Sequence, residues 1–182
     1  MGWRWWMEPA RRSRRVLAAR LGGALDALVL SADRGEGVGF RVSPPGIGVL
    51  RGPGDPGLIF GFEELLGVEL MINGEVRARA FRGEPRRPLD VTRLRLEHLA
   101  LRLVFDDLRY PEFELRLREP GDTGAASSET LDGARRMFAH LEAVLRQTRA
   151  AEIARPATTA PDPPAQAPTP DEDEPEPDDP PF

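Results

Sequence analysis

Apolar residues recur along this chain with two different periods, and the switches between them mark out its elements. Between residues 10 and 30, Val16, Leu17, Leu21, Ala24, Leu25 and Leu28 fall at three- and four-residue spacing, which predicts an amphipathic helix. From Gly37 the period drops to two. Residues 37–42 alternate toward Pro44-Pro45-Gly46, where Pro and Gly suit the central positions of a type II turn, and residues 47–50 return as a second strand. Residues 58–62 form a third strand after the loop 52–57. Val68, Leu70 and Ile72 share one face and Val76, Ala78 and Ala80 another, and the Asn73-Gly74 pair between them is the mark of a type I′ hairpin. Leu94 and Leu96 keep one parity, whereas Leu99, Leu101, Leu103 and Phe105 keep the other. The shift near Glu97-His98 implies a bulge, or a break between a loop and a strand. After a turn over residues 106–111, Phe113, Leu115 and Leu117 make the last inward row.

The helical period then returns in Leu131, Ala134, Phe138, Leu141 and Leu145, with Ser127 or Ser128 as cap and Glu129 and Asp132 in the first turn. This helix should end before Pro156. The pattern predicts an α+β fold: about seven antiparallel strands in a curved sheet, closed at its open end by the C-terminal helix. An N-terminal amphipathic helix precedes the sheet. The chain divides into a Trp/Arg-rich start (1–34), a folded body (35–150) and a tail (151–182). Strand count and order, the run Glu64-Leu65-Leu66-Gly67-Val68-Glu69-Leu70 leading into the Asn73-Gly74 hairpin, and the closing helix resemble a bacterial pleckstrin-homology-like (PH-like) domain over residues 37–149. That resemblance implies a membrane-associated or protein-binding module. It does not extend to inositol phosphates, because the first hairpin turn, Val42-Ser43-Pro44-Pro45-Gly46, carries none of the basic residues that such binders place there.

Composition narrows the chemistry. The 182 residues include 25 Arg but no Lys and no Cys. Thiolate metal sites, disulfides, Schiff-base lysines and Walker lysines are therefore all excluded. The net charge of −5 conceals three regions. Residues 1–30 set six Arg against Glu8 and Asp26, and residues 31–155 are nearly balanced. Residues 156–182 hold eight acidic residues, ten Pro and no base, a composition that predicts disorder.

His98 and His140 belong to no metal or catalytic motif, and Ser43, Ser127 and Ser128 lack a nucleophile-elbow context. Asp106-Asp107 reads as a turn. A non-enzymatic protein without metal or cofactor is expected. Arg77, Arg79, Arg93, Arg95, Arg102, Arg116 and Arg118 point away from apolar neighbours. They form either an anion-binding sheet face or a solvated face neutralised by Glu97, Glu112 and Glu114. Interleaved aromatics are scarce, so direct nucleic-acid binding is not expected.

The start holds all three Trp of the chain, Trp3, Trp5 and Trp6, followed by Arg11, Arg12, Arg14 and Arg15. These seven residues are the candidate contact with a membrane or a protein partner, unless the helix simply packs on its own domain. Nothing here is apolar for long enough to span a bilayer. The twin-arginine-like Ser13-Arg14-Arg15 lacks a following apolar region, and Trp6 stands where a myristoylation signal needs Ser or Thr. A cytoplasmic protein, peripheral to the inner membrane, is the expectation. The tail ends Asp178-Asp179-Pro180-Pro181-Phe182, which resembles the acidic C-terminal tip of bacterial single-stranded DNA-binding proteins. That likeness implies an alternative: a DNA-metabolism accessory recruiting partners through Asp178, Asp179, Pro181 and Phe182.

Overall fold

The chain leaves its first helix by a left-handed glycine. In the computed structural model, which describes residues 3–31, 34–85, 96–122 and 128–154, helix α1 spans Trp3–Arg20. Gly22 has φ +78°, its N–H donates to the Ala19 carbonyl at 3.3 Å, and the Gly23 N–H donates to the Ala18 carbonyl at 2.8 Å. This is the Schellman ending, in which glycine takes the left-handed position without steric cost. The helix expected to run to Leu30 therefore stops ten residues sooner. Ala27–Leu30 is instead a strand, β1, paired with residues 37–40.

Strands β1, β2 (Glu36–Arg41), β3 (Gly46–Arg51) and β4 (Leu58–Phe60) make an antiparallel meander, sheet A. Its inner face carries Val29, Val38, Phe40, Ile47, Val49 and Phe60, all buried. Its outer face is lined by glycine and accepts α1. A Cβ on Gly48 would lie 2.7 Å from the Leu17 side chain, and one on Gly46 would lie 2.7 Å from that of Leu21. Gly46 pairs with Arg41 as the first residue of β3, so the loop is Val42–Pro45, with a cis Ser43–Pro44 bond. The expected type II turn with Gly46 at its left-handed position does not form. Gly46 serves the close approach of Leu21 instead.

A short 3-10 turn (Phe62–Glu64) leads into sheet B: β5 (Leu65–Ile72), β6 (Glu75–Phe81), β7 (Leu99–Phe105) and β8 (Glu112–Arg118), in the order β6-β5-β7-β8. The two-residue hairpin between β5 and β6 has φ of 52° at Asn73 and 80° at Gly74, as type I′ requires. The parity shift before β7 is a loop-to-strand boundary. The Asn73 side-chain oxygen accepts the N–H groups of Glu97 and His98, each at 3.0 Å, and regular pairing with β5 begins at Leu99.

Helix α2 (Ser128–Ala154) buries Ala134, Met137, Phe138, Leu141, Val144 and Leu145. These join the inner faces of both sheets in one core cluster, where the rings of Phe60 and Phe105 stack at 3.9 Å. The α+β class, antiparallel sheets and closing helix thus match the expectation. The single curved sheet of about seven strands does not: there are eight strands in two four-stranded sheets. Two causes account for the difference. The segment read as the end of the helix is a strand, and the 3-10 turn separates β4 from β5. The tail from Arg155 onward lies outside the described residues, as do Arg93, Arg95 and Ser127.

Candidate functional site

Helix α1 is seated on sheet A through its C-terminal end. At 1.5 Å per residue it is about 27 Å long. Positions 3, 6, 10, 13 and 17, with Leu21 just past the end of the helix, follow one another at three- and four-residue spacing. At the C-terminal end of that line, Leu17 is fully buried and Leu21 is 5% exposed, both against sheet A. The Arg41 guanidinium adds a clamp, donating to the Leu21 carbonyl at 2.8 Å and to the Ser43 carbonyl at 2.7 Å. Asp26 accepts the Val42 N–H at 2.8 Å beside it. Further toward the N-terminus the same line loses its cover: Ser13 is half-buried and Ala10 is exposed.

Arg11, Arg12, Arg14 and Arg15 are all exposed, and among the described residues none of them has an ion-pair partner. No acidic residue stands in the first turn of α1 to offset them. Trp3, Trp5 and Trp6 occupy the first two turns of the same helix. The structure thus brings all seven predicted contact residues onto one element. Asp178, Asp179, Pro181 and Phe182 lie outside the described residues.

The arginines of sheet B are arranged quite differently. Strand register sets Arg79, Glu69, Arg102 and Glu114 side by side across all four strands. The nitrogen–oxygen distances along this row are 3.7, 3.3 and 3.7 Å. At one border Arg79 also meets Glu84 at 3.2 Å and covers the Phe81 ring, its guanidinium carbon 4.4 Å from the centroid. At the other, Arg116 reaches across to the buried Glu36 of sheet A at 3.0 Å. The hydrogen bond and charge of Glu36 raise the pKa of Arg116 above its ordinary value. Charges on this face are therefore mutually satisfied, with Glu69 as the shared acceptor.

The groups considered for catalysis do not converge. His98 stands half-buried before the start of β7, and Asp106 lies exposed just past its end. Asp107 accepts the N–H groups of Arg109 and Tyr110 at 2.7 and 2.9 Å, the work of a turn residue. His140 is exposed on α2, its ring stacked on Phe40 at 5.2 Å. Among the described residues, no three His, Asp or Glu side chains are grouped to hold a metal ion.

Two structural anchors were not foreseen. Arg41 clamps α1, and Asp55 organises the loop after β3. The Asp55 carboxylate accepts the Gly57 N–H at 2.9 Å, the Arg51 N–H at 3.0 Å and the Arg51 Nε at 2.8 Å. The Asp-Pro-Gly run signalled the second, whereas nothing local marks Arg41 as a helix clamp. Among the described residues, no helix is long and apolar enough to cross a membrane. No protein-family model matches the chain, and no curated protein or solved structure is significantly similar to it.

Proposed function

We propose that this protein is a non-enzymatic, PH-like interaction module whose first helix makes peripheral contact with an anionic membrane surface on the cytoplasmic side. One observation carries the reading: the line seated by Leu17 and Leu21 is exposed by Ala10, on a helix that also holds three Trp and four exposed Arg with no ion-pair partner among the described residues. A helix lying in a bilayer interface needs those features, with aromatic rings at headgroup depth and cations over anionic lipid. Two packed antiparallel sheets with a closing helix support the PH-like assignment. The order β6-β5-β7-β8 departs from a simple run of neighbours in the second sheet. The base-free loop Val42–Pro45 keeps inositol phosphates outside the proposal.

Flotation of the full chain with phosphatidylcholine vesicles, with and without phosphatidylserine, tests the contact. Each cation near an anionic surface contributes about 1 kcal/mol, so replacing Arg11, Arg12, Arg14 and Arg15 by Gln should cost about 4 kcal/mol at low salt. That is roughly a thousandfold in affinity. Equal recovery of the two proteins, or no dependence on phosphatidylserine, sinks the membrane contact. Capture of a protein partner through the same arginines would then replace it.

A further inference from the structure

We propose that the acidic run 171–179 of the same chain covers the arginine face of α1 until an anionic surface displaces it. The inference deepens, and rests on, the reading of α1 as the contact element. Charge accounting across the fold singles out this helix. On the sheets, Arg77, Arg79, Arg102 and Arg116 each have a Glu within ion-pair distance. On α2 the exposed Arg136, Arg146 and Arg149 are spread over the helix. On α1 four exposed arginines fall within five residues and have no partner among the described residues.

The chain also contains one surplus of the opposite sign. Residues 156–182 carry eight acidic side chains and no base, and seven of the eight fall in Asp171-Glu172-Asp173-Glu174-Pro175-Glu176-Pro177-Asp178-Asp179. Reach does not prevent the encounter. From Ala154, where α2 ends, to Asp171 a chain can extend up to about 55 Å, against a radius of gyration of about 15 Å for a body of this size. The acidic run itself extends to about 30 Å, close to the roughly 27 Å of α1. Tethering adds an effective concentration in the millimolar range, so even a weak intrinsic affinity covers the face. An anionic surface must therefore compete with the chain's own carboxylates, and contact becomes a switch set by ionic strength and by surface charge density.

The test keeps the full chain and neutralises the tail: Asp171→Asn, Glu172→Gln, Asp173→Asn, Glu174→Gln, Glu176→Gln, Asp178→Asn and Asp179→Asn together. All three Trp of the chain lie in α1, so Trp fluorescence, excited selectively over that of Tyr110, reports on that helix. A synthetic peptide of residues 156–182 added to the neutralised chain should shift the Trp signal saturably at low salt. The shift should vanish when Arg11, Arg12, Arg14 and Arg15 are also changed to Gln. The neutralised chain should bind phosphatidylserine vesicles about tenfold more tightly than the natural chain, with the difference closing as added salt shortens the Debye length below about 5 Å. A silent peptide, together with equal vesicle binding by the natural and neutralised chains, overturns the tail contact and leaves the membrane reading standing. A saturable, arginine-dependent peptide signal with no vesicle binding by either chain supports the tail contact and removes the membrane reading.

Discussion

Replacing Gly48 by Val should release α1 without unfolding the body. The added Cβ alone would stand 2.7 Å from the Leu17 side chain, 3.2 Å from that of Leu21 and 3.3 Å from that of Ile59. Two further methyl groups reach deeper into the space that Leu17 fills. Overpacking of this kind costs about 1–3 kcal/mol. The seat it disturbs is small. Burial of Leu17 and Leu21 contributes about 1.5–3 kcal/mol each, before the cost of ordering the helix is subtracted. A loss of 1–3 kcal/mol therefore consumes most of the net docking energy and raises the detached population roughly tenfold to a hundredfold. The core should feel little, because Leu17 and Leu21 lie outside the contiguous cluster that joins both sheets and α2. In an extended strand Val also relieves the roughly 0.5–1 kcal/mol penalty of Gly. Amide hydrogen exchange resolves the two regions. Protection around Leu17–Arg20 should fall tenfold or more while β5 and β7 keep theirs, and Tm should move by no more than about 2–4 °C. Equal loss of protection in α1 and in β5, or unchanged protection in α1, would refute the argument that the glycine face is a separate and weak seat.

Two further outcomes follow from the ion pairs. Asp55→Ala should destabilise the protein by about 1–3 kcal/mol in urea melts, since the N–H groups of Gly57 and Arg51 lose their acceptor. Burial alone would raise the Asp55 pKa, but the hydrogen bonds from Gly57 and Arg51 outweigh it and hold the carboxyl below its ordinary value of 3.8. A lowered folded pKa adds stability at pH above the unfolded value, and that increment is lost as pH falls through the folded one. The Ala variant should accordingly converge on the natural protein in acid, and an unchanged gap there would contradict the assignment. Glu69→Gln should cost about 1–2 kcal/mol and uncouple Arg79 from Arg102. A double-mutant cycle between those arginines should show coupling with Glu69 present and none without it.

What the residues disclosed in advance depended on how local each feature is. Asn73-Gly74 was readable because a two-residue hairpin needs two positive φ angles, and few residue pairs supply them. The inward rows of β5, β7 and α2 were readable because burial imposes its period on each segment by itself. Strand β1 was not. Leu21, Leu25 and Leu28 keep helical spacing, and only Gly22 in the left-handed region and pairing with residues 37–40 turn the last of them into a strand residue. The division into two sheets was equally hidden, since it follows from β5 pairing with both β6 and the distant β7. At the candidate site, the Trp and Arg cluster stood out by composition. Its seat on Gly46 and Gly48 did not, because those glycines act through the space they leave empty. The structure also changes how the site must be probed. A chain shortened to begin at Asp33 would lose β1 from its sheet, so side-chain substitutions are the cleaner test.

The charge row across sheet B has a consequence for how the molecule travels. Arg79 and Arg102 against Glu69 and Glu114 sum to zero over the width of the sheet, and their fields cancel within a few ångströms of it. The charges of that broad face are paired, whereas α1 sets four exposed arginines within five residues with no ion-pair partner among the described residues. Such an imbalance gives the body a dipole that a charged surface can turn before any contact is made. On the proposed reading the helix would arrive first, and the approach would be oriented rather than random.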